Sequence, residues 1–273
     1  MHTNNSALVL LRGGGDLATG VALRLYHAGI KVIIAELEQP LAVRRTVSFA
    51  EAVYEGKHIV EEVTARLVEP EQLSTALEAD EIPVLIDPNA DILTSDFRPS
   101  TFITVIDGRL TKQSPSPLPV PVPLHIGLGP GFHAGINCHA VIETRRSHTL
   151  GRVHWNGTSQ ADSGQPEGDR RRVLRAPSDG VLTTKVKIAE HVEEGQVIAV
   201  INDQSSIVSP FAGVLRGLIH EGIHVTKGLK IGDVDPRDDA NACFLVSDKA
   251  LAIGGAVLEA ILTRKEIRGQ LWK

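Results

Sequence analysis

Short apolar runs without polar interruption punctuate the first half of the chain. ALVLL (residues 7–11) stops at arginine and glycine, and KVIIAE (31–36), IPVLID (82–87) and FITVID (102–107) each stop at an acid. Runs of this length with no alternation predict buried strands. Between the first two, Leu17, Val21, Leu25 and Ala28 recur at helical spacing. They predict an amphipathic helix from about Leu17 to His27, with Gly29 as its stop. Strands separated by helical stretches predict an α/β fold on a parallel sheet. Ligands of such sheets bind beyond the carboxyl ends of the strands, where Glu36, Asp87 and Asp107 would stand. Acids also serve as plain turn residues after strands, and both readings stay open for each of the three.

The pattern then changes. In SPSPLPVPVPL, proline takes every second position from Pro115 to Pro123. Each proline lacks an N–H, so neither a helix nor a central strand fits, and an extended connector is expected. HIGLGPGFHAG follows, a short strand with a second glycine-rich turn. Further on, PSDGVLTTKVKIAEHVEEGQVI from Pro177 aligns without a gap on PFAGVLRGLIHEGIHVTKGLKI from Pro210, an offset of 33. Valines, short alternation and regularly placed glycines in both copies predict β-strands with tight turns. Two such halves resemble the barrel-sandwich hybrid of lipoyl and biotinyl domains. The hairpin that carries the prosthetic group there reads INDQSSIVS here and has no lysine, so neither biotin nor lipoate is expected. Near the C-terminus, CFLV predicts a last strand, and Ser247 is a helix cap ahead of Leu251, Val257, Leu258, Ile261 and Leu262. The expected organisation is a Rossmann-like domain of residues 1–165 and 240–273, with an inserted all-β module at 170–239.

The 273 residues are 42% hydrophobic and 22% charged, an ordinary globular balance, and the net charge of -5 gives no reason to expect nucleic acid as a partner. Two cysteines, Cys138 and Cys243, are too few for a disulfide framework, so a reducing cytoplasm is the expected compartment. The N-terminus does not read as a secretory signal, and ALAIGGAVLEAIL (250–262) is too short to span a bilayer, so no membrane association is expected.

The richest candidate chemistry follows the first strand. Gly13, Gly14, Gly15, Asp16, Leu17 and Ala18 satisfy G-x-G-x-x-A, and Glu36 closes the second strand at the spacing of the acid that binds ribose hydroxyls. Glycines let a backbone approach phosphate at a helix N-terminus. Asp16 complicates this, because a carboxylate there caps the helix itself and repels a phosphate. Arg44 and Arg45 follow the second strand and could grip an anion bidentately. Gly127, Gly129 and Gly131 form the second turn, expected to roof the first, with His133, Cys138 and His139 close by. Adjacent Cys138 and His139 would point apart in regular structure, so no metal site is expected. No pair of residues presents itself as a proton relay, and catalytic residues stay unassigned.

RGGGDLATGVALRLYHAGIKVIIAELEQPLAVRRTVSFAEAVYEG, GLGPGFHAG, CHAVIETRRSHTLGRV, LRGLIHEGIHVTKGLKIGDVDPR and SDKALAIGGAVLEAIL together resemble the YqeB family over nearly the whole chain. The Rossmann-like part is also similar to the cofactor-handling domain of the xanthine dehydrogenase accessory factor XdhC. The resemblance implies an accessory role in maturing a selenium-dependent molybdenum hydroxylase. The client enzyme would be the partner, and a molybdenum pterin cofactor or an NAD(P)-like nucleotide the ligand. The alternatives are an NAD(P)-dependent oxidoreductase and a non-enzymatic scaffold that docks the client. A homo-oligomer is compatible with all three.

Overall fold

The computed structural model describes residues 7–96, 101–164 and 169–271. The chain divides into two compact units, one of residues 1–40, 49–162 and 246–273, the other of residues 41–48 and 163–245.

The first unit is built on β1 (Leu8–Arg12), α1 (Asp16–His27), β2 (Lys31–Glu36), α2 (Ala52–Glu55), β3 (Lys57–Val60), β4 (Val63–Leu67), α3 (Leu73–Glu78), β5 (Ile82–Ile86), β6 (Phe102–Asp107), β7 (Leu124–Leu128), β8 (Ala140–Ile142) and β9 (Val153–His154). Their order in one nine-stranded sheet is β3-β4-β5-β2-β1-β6-β7-β8-β9. From β4 to β8 every neighbour is parallel, and β3 and β9 close the edges antiparallel. The unbroken apolar runs are the strands covered on both faces, as a parallel sheet requires. One face buries Leu8, Leu10, Ile33, Leu85 and Val105 with Leu73 and Ala76 of α3.

The parallel step from β6 to β7 has no helix. The proline connector makes it, and Leu118, Val120 and Val122 pack partly buried against the same core cluster. Alternation explains this: in extended chain every second residue shares a side, so the residues between the prolines form an apolar face.

After the second unit the chain returns as α4 (Asp248–Thr263) and α5 (Lys265–Arg268). Ser247 Oγ accepts the N–H of Ala250 at 3.2 Å, which fixes the start of α4. Ser247→Ala should cost about 1 kcal/mol in a urea titration. Helices α1 and α4 pack with their backbones in contact. A Cβ on Gly20 would lie 2.7 Å from Ala250 Cβ, and one on Gly254 would lie 2.5 Å from Gly20 O, whereas one on Gly255 would meet nothing within 4 Å.

The strand expected at CFLV does not form. Residues Asn241–Cys243 make a single 3-10 turn instead. The carbonyls a strand would use are taken by side chains: Arg44 Nη2 donates to Ala242 O and Leu245 O, both at 3.0 Å, and Thr46 Oγ1 donates to Cys243 O at 2.6 Å.

The second unit contains β10 (Val173–Arg175), β11 (Gly180–Thr184), β12 (His191–Val192), β13 (Val197–Ile201), β14 (Ser205–Val208), β15 (Gly213–Leu218), β16 (His224–Val225) and β17 (Lys230–Asp235). They form two four-stranded antiparallel sheets, β10-β17-β15-β12 and β14-β13-β11-β16. The repeat is visible in the pairing, since each half lends its short strand to the other. His191 pairs with Val214, and His224 pairs with Val181, the same contact moved by one repeat. The shared glycines follow the same rule. The Cβ missing from Gly180 leaves room for the Asn202 side chain, and that missing from Gly213 leaves room for Asp235 O, at equivalent positions of the two copies. Asn202 and Asp203, both with positive φ, turn the hairpin between β13 and β14.

An ion ladder runs along the β10-β17-β15 sheet. Buried Asp233 accepts from Arg172 at 2.9 and 2.8 Å and from Arg216 at 2.8 Å. Arg216 reaches on to Asp235 at 3.4 Å, and Asp235 accepts from Arg237 at 3.0 and 2.6 Å. The guanidinium of Arg237 holds the Asp235 carboxyl well below the usual carboxylate range.

Candidate functional site

The carboxyl edge of the parallel sheet carries the candidate site. The chain moves from β1 to β2 on one side, then returns after β5 to place β6 on the other side of β1. The crevice between the ends of β1 and β6 is therefore the point where strand order reverses, the usual ligand position on an open parallel sheet. The turn Gly13–Gly15 lies there, followed directly by α1.

The three glycines differ. Gly13 has φ of 89° and backs onto the turn after β6, where its Cβ would sit 3.4 Å from Arg109 Cα and N. At Gly14 a Cβ would press on Ala50 N at 2.8 Å. Only at Gly15 would it meet nothing within 4 Å, so this residue faces open space at the start of α1. Leu17 and Ala18 are buried behind it.

Both acids near the turn hold main-chain amides. Glu36, itself buried, accepts the Gly14 N–H at 2.6 Å and the Leu37 N–H at 2.7 Å. Burial raises its pKa despite these bonds. Asp16 accepts the Leu17 N–H at 2.9 Å. The other strand-end acids also fold back on the loops that follow them. Asp87 accepts from Asp91 N at 2.8 Å and Ile92 N at 3.0 Å, while Glu143, buried after β8, accepts from Arg145 N and Gln160 N, both at 2.7 Å.

Asp107 has a richer setting. Its carboxylate is buried and takes Arg109 bidentately at 2.9 and 2.5 Å, with Arg12 Nη1 at 3.6 Å on the same oxygen that Arg109 Nη2 uses. Arg12 also donates to Pro88 O at 2.8 Å. Neither Arg12 nor Arg109 stood out in the sequence. The only signal was an arginine at the end of an apolar strand, matched by register to an acid at the end of another.

The second glycine turn has a packing explanation. A side chain on Gly127 would collide with the Phe132 ring, one on Gly129 with Thr144 Oγ1, and one on Gly131 with Gln113 O. Arg44 and Arg45 belong to the second unit. There Arg44 holds the carbonyls of Ala242 and Leu245, and Arg45 Nε donates to Leu218 O at 3.1 Å.

Cys138 is no thiolate at neutral pH, since burial pushes its pKa up to about 11. Among the described residues no three or more His, Cys, Asp or Glu side chains are grouped as a metal ion would need. Burial also holds His125 neutral, with its pKa pushed down to about 4, and the Nδ1 of His139 accepts the His125 N–H at 2.8 Å. An unfolded histidine titrates near 6.5. The unfolded chain thus takes up a proton first as pH falls, and stability is lost from about pH 6.5 down towards 4. His139, lowered too, acts in the same direction. Moving from pH 7 to pH 5 should cost about 2 kcal/mol through His125, read from urea midpoints. His125→Gln should lose that part of the acid sensitivity, and an unchanged acid loss would overturn the assignment.

Together these features define an α/β protein with a nine-stranded, mostly parallel sheet and two small antiparallel sheets. The chain is 46% identical over 266 residues to the uncharacterized protein YqeB of Escherichia coli (strain K12), a match over 96% of this chain. The chain spans about half the length of that curated relative, 48%. No protein-family model matches. Among solved structures, similarity extends to an aspartoacylase family protein from Mesorhizobium loti (10% identity, 85% of each chain, TM-score 0.25). It extends also to a succinylglutamate desuccinylase/aspartoacylase from Rhodobacter sphaeroides (13% identity, 84% of this chain and 85% of that one, TM-score 0.27). Among the described residues no helix is long and apolar enough to cross a membrane.

Proposed function

We propose that this chain is an accessory protein that binds a nucleotide-bearing cofactor at the Gly13–Ala18 turn and serves the maturation of a molybdenum hydroxylase. In this reading the first unit is Rossmann-like and the second is a barrel-sandwich hybrid without a carrier lysine. One observation carries the binding claim: a glycine turn at the strand-order reversal, with Gly15 facing open space at the start of a 12-residue helix. The maturation role and a selenium-dependent client rest on the YqeB-like family context alone.

The residues fit part of a molybdenum pterin cofactor better than the rest. Its nucleotide forms carry a ribose and a base, whose hydroxyl and amino groups suit acceptors such as Asp16. Its phosphate is less well served by the turn itself, since Glu36 and Asp16 each already hold an amide there. When bound, the group would supply the redox metal for a client; the chain's own residues would hold and orient it.

Thermal shift with NAD, NADP, cytidine and guanosine nucleotides and purified molybdenum cofactor tests the reading. Ligand at a hundred times its Kd should add about 2.7 kcal/mol of stability. Gly15 has φ of -66°, open to any residue. Gly15→Val should therefore leave the fold intact and weaken the bound ligand at least roughly tenfold, because its side chain enters the space the ligand needs. Failure of every ligand to stabilise the native chain would dismiss the proposal, and NAD turnover on a substrate would replace it with the oxidoreductase.

A further inference from the structure

The proposed turn has a charge problem. A phosphate or carboxylate at the start of α1 would face Asp16 and Glu36, two carboxylates that already occupy the amides of Leu17 and Gly14. Positive charge has to come from elsewhere, and the loop after β6 supplies it. Gly108 N–H donates to Arg12 O at 2.9 Å, and a Cβ on Gly108 would sit 3.1 Å from Ala18 Cβ. The same loop passes against Gly13 with the main chain of Arg109. Arg109 is thus rooted beside the first glycine of the turn.

Its side chain belongs to a cluster whose members are unequally buried. Arg12 and Arg109 share the carboxylate of Asp107. Asp87 adds a second negative charge near Arg12, weaker in its effect than Asp107, and its oxygens also accept the N–H groups of Asp91 and Ile92. Arg12 is nine-tenths buried or more, and its Nε has no hydrogen-bond partner among the described residues. Burial first, and then the neighbouring Arg109, lower the pKa of Arg12, against the opposing effect of Asp107 and Asp87. The members differ in exposure: the side chains of Arg12 and Asp107 are 5% and 2% exposed, that of Arg109 25%. Arg109 is the one that reaches solvent.

We infer that Arg109 is the anion-binding residue of this crevice, parked on Asp107 until the phosphate of a nucleotide-type ligand gives it a second partner. The inference rests on the ligand-binding reading above and adds the chemical part of the ligand that is recognised. A guanidinium can hold a carboxylate and a phosphate together because its N–H groups form a fork with several donor directions. Asp107 would act as a positioning residue and the turn would seat the sugar.

Calorimetric titration of the full chain tests this with cytidine and guanosine 5′-diphosphates, the matching nucleosides and inorganic pyrophosphate. In the native chain at least one diphosphate should bind ten times or more tighter than its nucleoside, and pyrophosphate should compete. Arg109→Gln should erase that advantage while leaving nucleoside affinity within about twofold, and Arg109→Lys should restore part of it. Asp107→Asn, which releases Arg109, should keep or raise pyrophosphate affinity; a merely structural ion pair would lower it. Should Asp107→Asn not fold, the Gln and Lys variants of Arg109 decide alone, with circular dichroism as the check on folding. Equal binding of nucleoside and diphosphate by the native chain, or an undiminished diphosphate advantage in Arg109→Gln, would overturn the inference and leave the ligand-binding reading standing. Binding of neither would overturn the inference, and the wider ligand panel above would then decide the ligand-binding reading.

Discussion

Gly254→Ala is expected to destabilise the protein by about 2 kcal/mol or more, while Gly255→Ala, one residue along the same helix, is expected to stabilise it by about 0.5–1 kcal/mol. The difference is one of surroundings. A methyl on Gly254 would lie 2.5 Å from the carbonyl oxygen of Gly20 and 2.8 Å from Arg24 Cγ. A main-chain atom inside a helix cannot give way, so the two helices would have to separate, and overpacking of this kind costs roughly 1–3 kcal/mol. Gly20→Ala should behave alike, since its methyl would meet Ala250 backbone and side chain at 2.7 Å. Gly255 is exposed in the same helix and has nothing within 4 Å of its missing Cβ. There alanine only restrains the unfolded chain and improves helix propensity. Urea titrations of the three variants, read by far-ultraviolet circular dichroism, give the signs directly. Equal effects at 254 and 255 would mean that the two helices do not pack backbone to backbone.

The second large effect is expected at Asp233. Asp233→Ala should cost about 3–5 kcal/mol, the range for breaking a buried pair by removing one partner. Arg172 and Arg216 both end on this carboxylate, and Arg216 side chain is only 17% exposed. Removal leaves two guanidiniums with part of their hydrogen bonding unsatisfied in a poorly solvated place. Arg237→Ala should cost far less, because that side chain is 71% exposed and water can replace it. Unfolding should be followed by two probes, since a chain with two compact units need not unfold in one step. An Asp233→Ala loss no larger than that of Arg237→Ala would show the ladder to be ornamental. High salt should leave the Asp233 effect largely in place, since buried pairs are weakly screened.

Much of the fold was readable because it depends on local pattern. ALVLL, KVIIAE, IPVLID and FITVID are β1, β2, β5 and β6 within a residue or so of their expected ends, and the helix expected from Leu17 begins at Asp16. The 33-residue offset of the repeat reappears as paired, exchanged strands. Ser247 caps α4 as its position before an apolar periodic stretch suggested. CFLV was misleading for a related reason. Four residues of high apolar content look like a strand, but Phe244 and Leu245 are exposed, at 53% and 56%, and side chains from residues 44 and 46 take the carbonyls. Partners two hundred residues away leave no trace in a local window.

The candidate site was legible only in outline. The glycine turn and Glu36 could be picked from spacing, and the sequence kept open whether strand-end acids face a ligand or a turn. The turn reading holds locally for Asp87 and Asp107, which bond Asp91, Ile92 and Arg109 within five residues, whereas the bond of Glu36 to Gly14 and the unequal burial of Arg12 and Arg109 around Asp107 are tertiary facts.

By itself the sequence determined which segments become strands and helices, where the chain turns, and that its later part is built twice. These follow from apolar periodicity and from the backbone limits of glycine and proline, which act over a few residues. The tertiary structure alone decided which glycine faces open space and which lies against a backbone, and which arginine at the sheet edge is buried and which reaches solvent. Those outcomes depend on what parallel strands bring side by side, and register between distant segments is fixed by packing that no short stretch contains.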